Sequence, residues 1–164
     1  MPAPLLFRIE SHIHGVSVHA VASQVIHAAP ERVSAIYRDY HRWPQLFPGT
    51  IRGTRLIRQN DTTKAIEVDH GKAGRVLNLM TELSPDEIRL DEFKPHYEAR
   101  FINRFEPDAD GTRYTVIADV QLKGVLRLVS LIAPPFVRRR IAKFVLGPIK
   151  AMAEASADQV RAST

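Results

Sequence analysis

Apolar and polar residues alternate in short runs through most of this chain. Near residue 134 the pattern changes to helical spacing. Over residues 134–160, Val137, Ile141, Phe144, Val145, Ile149, Met152 and Ala155 recur at three- and four-residue steps and form one apolar stripe. Lys143, Lys150, Glu154 and Asp158 fall mostly to the other side. Gly147-Pro148 lies inside the stripe, and a proline there removes a backbone bond, so a kink is expected. Ahead of the helix, residues 16–26, 51–58, 64–70, 75–83, 87–93, 97–106 and 112–123 read as strands. Turn chemistry divides the later ones: Gln59-Asn60-Asp61, Gly71 and Gly74, Ser84-Pro85-Asp86, Pro95, and the run from Pro107 to Gly111. Such short spacing argues an antiparallel meander rather than crossover units.

Only the step from the first strand to the second is long. There Pro30 fits the first turn of a helix and Glu31 sits at the end that favours an acid. Val33, Ile36, Tyr37 and Tyr40 make one face; Trp43-Pro44 opens a second short helix and Pro48-Gly49 ends it. The economical arrangement is α+β: a curved antiparallel sheet of six to seven strands wrapped around the long helix, with a cavity between them.

Alternation assigns the faces. Tyr97, Ala99, Phe101, Asn103 and Phe105 are expected inward, because Glu98, Arg100, Arg104 and Glu106 must meet water. Tyr114, Val116, Ala118, Val120 and Leu122 are the inward set of the last strand, and Ile66, Val68 and His70 that of 64–70. In 75–83 the set is Leu77, Leu79, Thr81 and Leu83. A slip of one residue would invert any of these.

Composition changes the picture little. The chain has 164 residues, 45% apolar and 25% charged, which fits one soluble domain large enough for a core and a pocket. It divides into an N-terminal arm over 1–15 and a single domain over 16–164. Cysteine is absent, which excludes disulfides and thiol catalysis. No stretch approaches a membrane span, and the first residues lack the form of a secretory signal, so a cytoplasmic protein is expected. The net charge of +5 raises nucleic acid or anionic lipid as partners. No nucleic-acid recognition motif occurs, and the basic residues are spread over several strands, so nucleic acid is not expected. Arg138, Arg139, Arg140 and Lys143 form the densest basic cluster: either a solvated face paired to sheet carboxylates or a weak contact with anionic membrane. His12, His14 and His19 lack the convergent set a metal needs, so no metal and no cofactor are expected.

The motifs Ala22-Ser23-Gln24-Val25-Ile26, Ala29-Pro30-Glu31-Arg32-Val33, Asp39, Trp43-Pro44, Leu46-Phe47-Pro48 and Gly74-Arg75-Val76 resemble the START-related, birch-allergen-like helix-grip superfamily over residues 18–160. They look most like its polyketide cyclase/dehydrase branch. The resemblance implies the helix-grip fold and a cavity for a lipid, polyketide or other apolar molecule; some members of the superfamily catalyse cyclisation. Aromatase/cyclases of that branch carry paired tryptophans and an arginine in the strand matching 75–83, and a tyrosine after the Trp-Pro helix. This chain has Leu77, Leu79, Leu83 and Thr50 there, which leaves an apolar wall in place of aromatase-type catalytic residues.

The expected function is therefore binding of a hydrophobic small molecule, with a cyclase/dehydrase-type enzyme and a membrane-peripheral lipid handler as alternatives. Trp43 and Phe47 on the short helix, Leu77, Leu79, Tyr97, Phe101, Asn103, Tyr114 and Val116 on the sheet, and Phe144 on the long helix are the candidate ligand contacts. His70 is the inward histidine of a central strand and, with Asn103, the candidate for polar chemistry.

Overall fold

The computed structural model describes residues 17–124 and 133–162, with side chains through Ala155. The expected arm at 1–15, with His12 and His14, lies outside the described residues. Seven strands form one antiparallel sheet in the order β1-β7-β6-β5-β4-β3-β2. They are β1 Ser17–Ile26, β2 Gly53–Gln59, β3 Thr63–Asp69, β4 Arg75–Ser84, β5 Glu87–Phe93, β6 Tyr97–Asp108 and β7 Gly111–Leu122. Helices α1 Pro30–Arg38 and α2 Trp43–Leu46, joined by a 3-10 turn at Tyr40–Arg42, carry the chain from one sheet edge to the other. That crossing lets β2 start the far edge while β1 pairs with the last strand.

Proline at the start of α1 and Glu31 in its first turn shape that helix as expected, and Val33 and Tyr37 are buried on one side. The helix packs on β6 and β7. Trp43 is 2% exposed, and its Nε1 donates to the Tyr37 carbonyl at 2.9 Å, which ties α2 to α1.

The concave faces of β3, β6 and β7 are those that alternation predicts, and β1 buries every second residue from Val18 to Ala22 beside them. Val18, Ala20 and Ala22, then Ile66 and Val68, Asn103 and Phe105, Tyr114 and Val116 are all buried. Ion pairs cover the convex side, among them Arg100–Asp91 at 2.7 Å and Arg104–Glu87 at 2.6 Å.

β4 departs from expectation. Its inward residues are Val76, Asn78 and Met80, whereas Leu77 and Leu83 are 43% and 46% exposed. Register supplies the reason. Val76 lies opposite Val68 and Asn78 opposite Ile66, and residues directly across a ladder share a face. The inward set of Leu77, Leu79, Thr81 and Leu83 is thus corrected: these side chains stand on the convex side.

The terminal helix also departs in phase. It runs as α3 Ala133–Ile141, a π turn Ala142–Leu146, and α4 Gly147–Ala162. Gly147 N–H donates to the Ala142 carbonyl, five residues back. Pro148 has no N–H to offer the ordinary partner, and the wide turn absorbs that loss. The extra residue in that turn rotates the remainder of the helix. Ile141, Leu146, Ile149 and Ala153 are buried, while Phe144 is 37% exposed and Ala155 lies at the surface. Phe144 and Ala155 therefore leave the predicted stripe, and Leu146 and Ala153 join it. Lys150 Nζ donates to the Val25 carbonyl at 3.1 Å, and His27 N–H donates to Glu154 at 3.0 Å, which fixes α4 along the end of β1.

Candidate ligand site between sheet and helix

The interior under the sheet has two ends of different character. At the end where β1 finishes and β7 begins, the interior is closed. Phe105 and Tyr114 stack at 4.7 Å, and Tyr37 tilts against them at 6.1 and 6.4 Å. Asn103 sits among them with its amide fully used. Its Nδ2 donates to Tyr37 Oη at 3.0 Å and to the Ile88 carbonyl at 3.3 Å, and Tyr114 Oη donates to its Oδ1 at 2.7 Å. Burial pushes both tyrosine hydroxyls well above the ordinary phenol range, so they stay neutral. Trp43, Asn103, Tyr114 and Val116 belong to this sealed end, 2% exposed or less.

At the opposite end Tyr97, Phe101 and Leu122 point inward from β6 and β7 yet are only half-buried, as are Val137 and Val145 on the helix. Phe47, at the end of α2, is likewise half-buried. Polar groups stand beside these apolar walls. His70 follows β3 in a turn made possible by Gly71 and Gly74, whose φ values are 64° and 84°. The Asp69 carboxylate accepts from Gly71 N–H at 2.7 Å. His70 Nδ1 lies 2.9 Å from the Thr50 carbonyl, just beyond α2. That oxygen can only accept, so Nδ1 carries the proton. Nε2 is buried and has no hydrogen-bond partner.

Nε2 faces Glu92, which projects inward from β5 with Oε2 3.9 Å away. The other carboxylate oxygen accepts from Tyr97 Oη at 2.5 Å and pairs with Lys94 Nζ at 3.1 Å. Asn78 stands in register with Glu92 on the neighbouring strand, and its Oδ1 is buried without a partner. Burial and the Lys94 ammonium hold His70 below the ordinary imidazole range, against the pull of Glu92, the Thr50 carbonyl and Asp69. Burial, and then the Glu92 charge and hydrogen bond, push the Tyr97 phenol up, while the charge of Arg140 on α3 opposes them. A neutral imidazole with a bare nitrogen, beside a carboxylate and a phenol, can accept a hydrogen bond or a proton.

Of the expected contacts, His70, Tyr97 and Phe101 thus share the open end. Leu77 and Leu79 do not line it, because β4 turns them to the convex face. Phe144 stands at the surface of the helix, with the Arg140 guanidinium 5.0 Å and Lys143 Nζ 5.3 Å from its ring centre. Arg138, Arg139, Arg140 and Lys143 are exposed, and among the described residues none pairs with a carboxylate within 4.0 Å. Two surface clefts lie nearby. One, of about 600 Å³, is lined by Val21, Pro134, Arg138 and Arg139; the other, of about 540 Å³, lies between α2 and α4 and is lined by Leu46, Pro148 and Met152. Among the described residues no three His, Cys, Asp or Glu side chains gather as a metal would require.

Sequence reasoning missed Asn78 and Glu92. For Glu92 a signal existed: it follows Ile88 and Leu90 at two-residue steps, which places it on their face. For Asn78 the leucines of the opposite parity concealed it.

No protein-family model matches the chain, and no curated protein matches it. Solved structures do. The di-domain ARO/CYC StfQ from the steffimycin biosynthetic pathway is similar at a TM-score of 0.71 and 16% identity, over 87% of this chain and 52% of that one. This chain thus spans about half the length of that protein. The Zhui aromatase/cyclase from Streptomyces sp. R1128 gives 0.64 and 15%, over 84% and 94% of the two chains. A STAR-related lipid transfer protein fragment from Xanthomonas axonopodis gives 0.56 and 17%, over 80% and 83%. At these identities the likeness establishes the fold, which is the helix-grip architecture.

Proposed function

We propose that this helix-grip chain binds a hydrophobic small molecule, of lipid, polyketide or quinone type, at the open end of the space between sheet and helix. The observation that carries the reading is the half-burial of Phe101. It sits mid-strand on the concave face, between the buried Leu90 and Ala118 on its neighbours, and still keeps accessible surface. Apolar walls with a few convergent polar groups are the usual form of a ligand pocket. The names of StfQ, Zhui and the lipid transfer protein agree with an apolar cargo or substrate. The test is native mass spectrometry of the protein as purified from cells, followed by a thermal-shift screen of apolar compounds. A ligand held at a hundred times its Kd stabilises by about 2.7 kcal/mol and raises Tm. No bound mass and no shift with any compound would remove the reading.

A second reading, an enzyme of cyclase/dehydrase type acting on a ligand in the same place, rests on the bare Nε2 of His70 beside Glu92 and Tyr97. It predicts dehydration or cyclisation of a polyketone probe that His70→Asn abolishes while binding survives. Unchanged probe after prolonged incubation with the wild type would exclude it.

A further inference from the structure

We infer that the ligand carries a hydroxyl at its polar end, a phenol, enol or alcohol, which donates its proton to Nε2 of His70. This rests on the binding reading above and narrows the chemical class of the ligand. Two acceptors meet at the site, and a third lies on the strand beside them. His70 Nε2 is a lone pair, because Nδ1 holds its proton against the Thr50 carbonyl. Its side chain is 7% exposed and Nε2 has no partner. Glu92 Oε2, 3.9 Å away, is a second acceptor. Asn78 Oδ1, in register with Glu92, is a third and is also buried without a partner.

Buried polar atoms in folded proteins are almost always paired, so an orphaned acceptor calls for a donor. A hydrocarbon would leave Nε2 unpaired, and a ligand carboxylate would set more lone pairs and a second negative charge against Glu92. An ammonium ligand would meet the Lys94 cation, 3.1 Å from the other Glu92 oxygen, and the charge of Arg140, which reaches Tyr97. A neutral hydroxyl gives its one proton to Nε2 without bringing either charge. Its own oxygen can accept from Lys94. The apolar body then lies along Tyr97, Phe101 and Leu122.

The probes are 4-alkylphenols, butyl to dodecyl, each paired with its methyl ether, measured by titration calorimetry against the whole chain. The ether keeps the apolar body and replaces the donated proton with a methyl group. The phenol should bind tighter than its ether by about tenfold or more, since the ether leaves a buried acceptor unpaired. His70→Asn retains an amide N–H for the Thr50 carbonyl and lacks Nε2, so there the two probes should bind within about twofold of each other. In the wild type, the ¹⁵N signal of Nε2 should move with phenol and stay with ether, which serves if the variant does not fold. Equal affinity of phenol and ether in the wild type overturns this inference and leaves the cavity reading intact. A preference that survives in His70→Asn, or an Nε2 signal unmoved by phenol, overturns the role of His70. No binding of either series at any chain length overturns the cavity reading and this inference with it.

Discussion

The two ends of this interior are built from the same kinds of residue and differ in what is left unpaired. At the closed end three aromatic rings and one amide satisfy one another completely: Asn103 uses both its nitrogen and its oxygen on Tyr37, Tyr114 and the Ile88 carbonyl. At the open end Tyr97 and Phe101 are half-buried, and His70 and Asn78 each bury an acceptor that meets no donor. The closed end anchors the fold. The open end leaves aromatic surface and two buried acceptors without such partners. A side chain's type therefore says little about its role here; satisfaction of its polar neighbours says more.

Truncation should separate the ends most strongly. Phe105→Ala, at a residue with no exposure, should cost about 3–5 kcal/mol in urea unfolding, as buried phenylalanines do. Phe101→Ala should cost about 1 kcal/mol, since less of its surface leaves water on folding. Equal losses would mean that the two ends are packed alike.

The amides sharpen the contrast next. Asn103→Ala strands the hydroxyls of Tyr37 and Tyr114 and should cost about 2–4 kcal/mol. Asn78→Ala removes an acceptor that is already unpaired and should change stability by less than about 1 kcal/mol. A large loss at Asn78 would reveal a partner for it within the folded chain.

Acid should act through the open end. His70 has a folded pKa below the 6.5 of the unfolded chain. The unfolded state therefore binds the proton first as pH falls. Stability is full above pH 6.5, declines below it, and levels off once pH passes the folded value. The groups facing the imidazole are Glu92, Lys94 and Asp69. Glu154 also has a lowered pKa, but its window lies below its ordinary value of 4.5 and leaves the upper range to His70. Denaturant midpoints across this range should slope for the wild type and lie flat for His70→Asn. A slope that persists in the variant would assign the effect to another group.

The smallest effect concerns the wall. Leu77→Ser, on the convex face, should shift stability by no more than about 0.5 kcal/mol and leave ligand affinity unchanged. Met80→Ser, on the concave face, should cost several times more. The reverse order would restore the leucines to the interior.

The helix-grip fold was largely legible in the sequence, because charged residues mark one face of most strands and proline or glycine marks most turns. β4 misled because both of its parities are apolar. Leu77, Leu79 and Leu83 outweigh Val76, Asn78 and Met80 on hydropathy alone, and only pairing with Ile66 and Val68 on β3 decides the face. The helix stripe held at Ile141, Val145, Ile149 and Met152 and failed at Phe144 and Ala155, for a local reason that the sequence did contain. Pro148 signalled a disturbed backbone, but not that a π turn would absorb it and rotate Phe144 outward. The polar cluster at the open end was the least visible. His70, Asn78, Glu92 and Tyr97 come from separate strands or the turn beyond one, so no local pattern in the sequence brings them together.

The decisive measurement is a set of nuclear Overhauser contacts from a bound 4-alkylphenol to the aromatic and methyl protons of the protein. Contacts to Tyr97, Phe101 and Leu122, with none to Tyr37, Phe105 or Tyr114, are what the two-ended interior predicts. Contacts confined to Val21 and Pro134, or to Leu46 and Met152, would place the ligand in a surface cleft and contradict it.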